Sequence, residues 1–263
     1  MKPTTDDPVP AGRRSGPVRR IRDVLRTRIL EGVYGREPLP PETALALEFG
    51  ASRNIIREVL SLLRDEGLIT RIQGSGTFVV AGKLVHGLDR LRGLAETFES
   101  RHPRVTNDVV LAEILPAVPL VAERLQLEAG SPVLCLERVR SFDGEPVTLD
   151  ASYFPADIGE PLLELDLENH DIFELIESEL GLPLGAARLR IEAMVADRVV
   201  AGMLRIRPGS PLLFVERLTH ADGGRPVDLE FLRYRGDRMT LASWLERTPL
   251  ANPFTSLRDT ESD

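Results

Sequence analysis

The chain is short of the residues on which many enzymes and most secreted domains depend. Cys135 is its single cysteine, so no intramolecular disulfide can form, which fits a reducing cytoplasm. Its four histidines, His86, His102, His170 and His220, fall in separate segments, mostly beside turns. With one thiol they argue against a structural zinc site, and no HExxH, CxxC or P-loop pattern occurs. No nucleophile–base pair stands out, so neither a catalytic residue nor a cofactor is expected. No apolar run approaches the roughly 20 residues that cross a bilayer, and no membrane partner is expected. The opening "MKPTTDDPVPAGRRSGP" lacks the apolar stretch of a secretory leader. Its Pro, Gly, Thr and Asp content predicts a disordered arm over residues 1–14.

What is present is unevenly distributed. The net charge is −8, yet residues 13–83 carry thirteen Lys/Arg against eight Asp/Glu, whereas residues 84–263 carry nineteen against thirty-one. A basic first third joined to an acidic remainder predicts that one domain meets phosphate and the other does not.

In the basic third, "PVRRIRDVLRTRILEGVYG" (17–35) places Val18, Ile21, Val24, Leu25 and Ile29 at helical spacing, and Gly32 and Gly35 end the helix. "LPPETALALEFG" opens a second helix after Pro40 and Pro41, with Ala44, Leu45, Leu47 and Phe49 expected on its buried side. In "ASRNIIREVLSLLRDEGLI", Ser52 is an N-cap candidate and Ile56, Val59, Leu60, Leu62 and Leu63 form the apolar stripe. "LITRIQGSGTFVV" (68–80) has the pattern of a hairpin with a Gly-Ser-Gly tip. Two helices about a short turn, followed by a hairpin, make a winged helix-turn-helix. The second helix of such a motif enters the DNA major groove with its first residues at the base edges. Arg53 and Arg57 share one helix face, Arg being the commonest reader of guanine, and Asn54 can pair with adenine. Alternatively these arginines only solvate an exposed face.

The combination LPPE, SRNIIREVL and GSGTFV resembles the DNA-binding domain of GntR-type bacterial transcription regulators over about seventy residues. The resemblance implies DNA contacts by Ser52, Arg53, Asn54, Ile55 and Arg57. Thr43 stands where the family commonly carries a basic contact, and Asn54 and Ile55 stand where Thr-Thr is common. Gly74 and Gly76 match the wing tip, with Arg71 and Gln73 as flanking contacts. An operator different from the family's usual one is implied.

Residues 81–87 are expected to be a linker. Beyond them the chain repeats itself: "GSPVLCLERVR" (130–140) recurs as "GSPLLFVERLT" (209–219), 79 residues on. The match extends back through "VAERLQLEAGSP" and "VAGMLRIRPGSP", and forward through "DGEPVTLDASYF" and "DGGRPVDLEFLRY" with one inserted residue. Each copy predicts a helix, a turn and a hairpin, and the two hairpins are expected to be halves of one mainly antiparallel sheet. "NDVVLAEILPA" and "AARLRIEAMVADR" predict further strands, and "HDIFELIESELGL" a helix capped by Asp171.

This part, residues 88–247, resembles the UTRA effector-sensing domain of HutC-type GntR regulators, through "LERVRSFDGEPV", "DIFELIESELGLPL" and "GGRPVDLEFLRYRGDR". The resemblance implies a chorismate-lyase-like fold, a small-molecule effector, a homodimer and an inverted-repeat operator in double-stranded DNA. It also implies that Arg138, Arg140 and Asp228 line the pocket. On residue chemistry, Arg138 and Arg140 share a strand face, as do Asp228 and Glu230, with Tyr234 following. Two guanidiniums on one face need an anion, from a ligand or from a neighbouring carboxylate. Thr219 takes the place of Arg140 in the second copy, which singles Arg140 out. Asp171 stands where sugar-phosphate sensors often carry Ser or Thr; it either caps its helix or repels a phosphate, with Arg92 restoring positive potential.

The expected architecture is therefore α+β: an arm (1–14), a winged-helix domain (15–80), a linker (81–87), a UTRA-like domain (88–247) and a loosely ordered tail (248–263). The expected function is a metabolite-responsive transcription regulator, usually a repressor in this family. The alternatives are an enzyme with a lyase-like domain tethered to DNA, and a constitutive DNA binder with a vestigial sensor.

Overall fold

The computed structural model describes residues 11–35, 37–73, 75–80, 83–98 and 105–246. Residues 1–10 of the expected arm, Gly74 and the expected tail lie outside the described residues.

Helix α1 (Ala11–Leu30) starts earlier than expected, so residues 11–14 are helix rather than arm. The helix runs through Gly12, Gly16 and Pro17, an extension that residue propensity does not account for. That stripe is Val18, Ile21, Leu25 and Ile29, while Val24 turns outward. Helix α2 (Glu42–Glu48) follows Pro41, and α3 (Arg53–Asp65) follows Ser52, whose Oγ accepts from the Ile55 amide at 3.4 Å. Gly50, between them, takes φ +57°, a left-handed conformation that glycine adopts without strain. On α2 only Leu45 is fully buried, with Ala46 and Phe49 packed beside it; Leu47 is 86% exposed and Ala44 is exposed too. Residues two apart on a helix point about 200° apart, so Leu45 and Leu47 cannot share a face. Ile56, Val59 and Leu63 of α3 close the core against α1. Strands β1 (Ile69–Ile72) and β2 (Gly76–Val79) form the antiparallel wing.

The expected linker is partly strand: Leu84–Gly87 forms β3. Leu84 and His86 are buried, and the strand pairs in parallel with the last one described, so it belongs to the second domain. Helix α4 (Leu94–Phe98) follows. Then come β4 (Val105–Pro116), α5 (Pro119–Leu125), β5 (Pro132–Phe142) and β6 (Glu145–Pro155). Helices α6 (Ala156–Leu163) and α7 (Ile172–Ser178) lead into β7 (Leu184–Val195), α8 (Arg198–Met203), β8 (Pro211–Ala221), β9 (Pro226–Arg235) and β10 (Met239–Ala242).

Six strands form one antiparallel sheet in the order β4-β5-β6-β9-β8-β7. The two repeats meet at β6–β9, so the sheet has an approximate two-fold relation between its halves. The repeat is longer than its sequence match: β4 and β7 also begin 79 residues apart, as do α5 and α8. Even the backbone repeats. Gln126 and Arg205, which close these helices, have φ +57° and +51°. Helices α5 and α8 cover one sheet face, Val121 and Leu125 packing with Val133, and Val200 and Leu204 with Val139. Helices α6 and α7 cover the first half of the other face, around Leu134, Phe154 and Ile176. The rest of that face combines buried charge with a second apolar cluster around Val215, Leu232 and Tyr234, on which Leu94 and Phe98 of α4 pack.

Candidate functional site

Two polar sites result. In the N-terminal domain a groove of about 850 Å³ runs between the start of α2, the outer face of α3 and the wing. Thr43, Arg53, Arg57, Arg71 and Gly76 line it, and Arg64 does as well. Arg64 was not singled out from the sequence, although it lies seven residues, about two turns, beyond Arg57 on the same helix face. Arg53 and Asn54 are exposed on the first turn of α3, and Gln73 is exposed in the wing turn. Arg57 is 63% exposed, and its Nε lies 2.8 Å from Glu42 Oε2 at the start of α2. Ser52 serves as the helix cap. Ile55 is half-buried and packs partly on the domain core. Gly76 has φ +123°, and a Cβ there would come within 3.3 Å of Pro38 Cβ.

In the second domain the charged residues are buried almost completely. Arg138, Arg140, Asp150, Asp171, Arg217, Asp228 and Glu230 are each 1–7% exposed. Their placement follows from strand register. Across the sheet Arg140 faces Thr148, which faces Tyr234; Arg138 faces Asp150; Ser152 faces Glu230, which faces Arg217; and Thr219 faces Asp228. The two-fold relation sorts these residues. Arg138–Asp150 (3.6 Å) corresponds to Arg217–Glu230, so each half carries the same buried ion pair. The pair Arg140 and Thr148 corresponds to Thr219 and Asp228, where charge has changed strand and sign. Arg138 thus has its anion within the protein. Asp150 also lies 2.8 Å from Arg140 Nε, and Asp171 Oδ2 is 4.0 Å from Arg140 Nη1.

Burial acts against every charge here, and neighbours decide the outcome. Burial and the adjacent Arg140 bring Arg138 down to about 10. For Arg140 and Arg217, burial is outweighed by Asp150 and Glu230 respectively, which hold both above the ordinary arginine value. Burial and then Glu230 push Asp228 well above the carboxylate range, while Arg217 overcomes burial to keep Glu230 below it. The two acids therefore share one proton, on Asp228. Burial, with Arg217 and Arg140 nearby, lowers His86 to about 4, so its imidazole is neutral. Burial raises Tyr234 to about 12. With Asp228 protonated, three guanidiniums balance three carboxylates.

Asp171 caps α7, its Oδ1 accepting from the Phe173 amide at 3.2 Å. Its Oδ2 also accepts from the Ala95 amide at 3.2 Å, and a Cβ on Gly93 would fall 2.0 Å from that oxygen. Arg217 Nη1 donates to the Arg92 carbonyl at 3.4 Å, and the Thr97 hydroxyl meets His86 Nδ1 at 3.1 Å. The segment from β3 to α4 is thus tied down over the cluster by the charged residues themselves. Beside it opens a cleft of about 180 Å³ lined by His86, Arg92, Ala187 and Arg217. Arg92 is 43% exposed there, near Glu96. Asp150, Arg217 and His86 were not singled out from the sequence. The repeat held a signal for the first two, since Asp150 aligns with Glu230 and Arg217 with Arg138.

A basic winged helix joined to a two-fold sheet domain with a buried charged site defines a two-domain regulator, a DNA-binding head with a sensor. Residues 17–79 match the family "Bacterial regulatory proteins, gntR family", and residues 100–240 match the UTRA domain. The chain belongs to the GntR family of bacterial transcription regulators, in the group that carries a UTRA domain; it is not an enzyme. It is 29% identical to the HTH-type transcriptional repressor NagR of Bacillus subtilis (strain 168), over 86% of this chain and 93% of NagR. It is 31% identical to the HTH-type transcriptional regulator Rv0792c of Mycobacterium tuberculosis (strain ATCC 25618 / H37Rv), over 86% of this chain and 82% of that protein. The crystal structure of PhnF from Mycobacterium smegmatis superimposes with a TM-score of 0.64 at 27% identity, covering 87% of this chain and all of PhnF.

Proposed function

We propose that this regulator is a homodimeric repressor that holds an inverted-repeat operator and releases it when a small metabolite enters the sensor domain. The observation that carries the reading is the tie between the cluster and the segment that follows β3. Asp171 and Arg217 bind the backbone at residues 92 and 95, a few residues beyond β3, the first strand after the head. A ligand that engages either residue competes with that tie, and so alters the segment that follows β3, the first strand after the head.

In the head, Arg53 and Asn54 read base edges, Arg57 is aimed by Glu42, and Thr43, Arg71, Gln73 and Gly76 contact the backbone. In the sensor, Arg140 and Asp228, where the two-fold relation breaks, discriminate the ligand, with Tyr234 walling the site. Arg138 and Glu230 hold the frame. Dimerisation is supported by apolar side chains exposed on the edge strands, Val110 and Ile114 on β4 and Leu189, Ile191 and Val195 on β7. The repression reading is supported by the name of NagR. Selection from random duplexes with the full chain tests the reading. The expected product is a two-fold symmetric site whose binding is weakened by a fraction of a bacterial metabolite extract. A single unrepeated half-site rules out the dimer on DNA, and indifference to every fraction rules out the sensor.

A further inference from the structure

The two-fold relation of the sheet shows where a layer is missing. In the first half, α6 and α7 lie over the face that carries Arg138 and Arg140, and Val109 and Ala112 of the edge strand β4 pack against them. In the second half β9 passes through residues 236–238 straight into β10, and among the described residues no helix follows it. The apolar cluster built on β3, α4 and β10 reaches Leu213 and Val215 of β8 and includes no side chain of β7.

The outermost strand is therefore left uncovered on that face. Leu189 faces Arg217, Ile191 faces Val215 and Ala193 faces Leu213, so Ala187, Leu189, Ile191, Ala193 and Val195 form one apolar row. Leu189, Ile191 and Val195 are 38%, 44% and 64% exposed. The other face of the strand carries Arg188, Arg190 and Glu192, with Arg190 and Glu192 paired at 2.7 Å. The edge itself is regular. Its bulge lies at its start, between Leu184 and Ala186, and residues 186–195 pair with β8 without interruption. The opposite edge, β4, is blunted by a bulge between Val109 and Leu111 and by Pro116 at its end. A long, regular, apolar edge is a template for another strand.

Resting on the dimer reading above, we propose that β7 is the surface through which two copies of this chain join, antiparallel and with the two-fold axis at Ile191. The strand complements its own reverse there. Ile191 meets Ile191 of the partner subunit, Leu189 meets Ala193 of the partner subunit, and Ala187 meets Val195 of the partner subunit, all apolar on one face. On the other face Arg190 meets Glu192 of the partner subunit, and Glu192 meets Arg190 of the partner subunit, so the charges alternate in sign. An axis one residue to either side would set Arg190 against Arg190, or Glu192 against Glu192. The two six-stranded sheets then continue into one another. The join also borders the sensor cleft. Ala187 and Leu189 form part of its wall, and opposite them stand Val195 of the partner subunit and Ala193 of the partner subunit. Each cleft is thus walled by both copies.

Sedimentation of the full chain and cysteine cross-linking test this. The parent should sediment as a dimer. Ile191→Lys, which sets two ammonium groups together at the axis, should weaken the dimer about 100-fold or more while still melting cooperatively. Val110→Lys, on β4, should leave it unchanged. Arg190→Glu should weaken the dimer, and Arg190→Glu combined with Glu192→Arg should restore it. Ala187→Cys combined with Val195→Cys should cross-link on oxidation, and only between chains, since the two positions lie about 27 Å apart along one strand. A dimer untouched by Ile191→Lys overturns the β7 assignment and leaves the dimer reading in place. A charge swap that restores nothing, or absence of the cross-link, overturns the axis at Ile191. A monomeric parent overturns this inference together with the dimer reading, and leaves β7 to an occupant other than this chain.

Discussion

Arginine does two different jobs in the two domains. In the head, Arg53 and Arg57 stand in water on a helix face, and Arg57 pairs with a single half-buried carboxylate. In the sensor, Arg138 and Arg217 are 1% and 6% exposed, and each is matched to an acid on the neighbouring strand. An exposed guanidinium costs the fold almost nothing and is available to a partner. A buried one is held by its carboxylate, and neither can be removed without stranding the other. Function in the head is therefore separable from stability, and in the sensor it is not.

The sharpest test of that contrast is Arg217→Met, which strands Glu230 in the core. It should cost about 3–5 kcal/mol of unfolding free energy in denaturant titration, and Arg138→Met, its repeat counterpart, should cost a similar amount. Losses below roughly 1 kcal/mol, the surface-pair range, would erase the distinction. Arg53→Ala should do the reverse, leaving the melting temperature unchanged and weakening specific DNA binding by about 1–3 kcal/mol. Unaltered operator affinity would remove Arg53 from base readout.

The sensor's titrations sharpen the contrast further. His86 is neutral in the fold, with its value lowered to about 4, so its contribution is complete above its ordinary pKa near 6.5. That contribution is lost as pH falls towards 4, by up to about 1.4 kcal/mol per pH unit. Asp228 has the opposite sign. Its raised folded value means the unfolded chain binds fewer protons, so stability is lost as pH rises from the ordinary carboxylate range through the folded value. Asp228→Asn should therefore melt higher than the parent at neutral pH, with the gap closing near pH 4. A gap that is constant with pH would place Asp228 outside the titrating pair. The smallest effect should come from Glu42→Gln, which releases only the exposed Arg57: under about 1 kcal/mol in stability, screened further by salt.

Much of this architecture could be read from residue order because local signals agreed with global ones. Ser52 before an apolar stripe, Asp171 before another, and two Asp-Gly hairpin tips each predict the element found. What stayed hidden depended on pairing across the sheet. The parallel partner of Leu84–Gly87 lies about 150 residues away, and no local pattern in a four-residue strand announces it. The inclusion of β4 and β7 in the repeat was masked because their sequences diverged, and even their bulges fall at different places, between Val109 and Leu111 in one and between Leu184 and Ala186 in the other. Within the site, Arg138 and Arg140 were recognisable as one face of a strand, but Asp150 decides how they behave. Asp150 faces Arg138 because of hairpin register. Helix phase likewise turns Ile55 partly towards the core, which its place in the motif does not announce.

Gly93 carries a consequence of its own. A methyl group at that position would collide with the Asp171 carboxylate at 2.0 Å, so any other residue there must displace either that carboxylate or the segment it anchors. On the release mechanism proposed above, a single carbon atom added at residue 93 would imitate the arrival of ligand, and strains carrying that change would express the controlled genes with no inducer present.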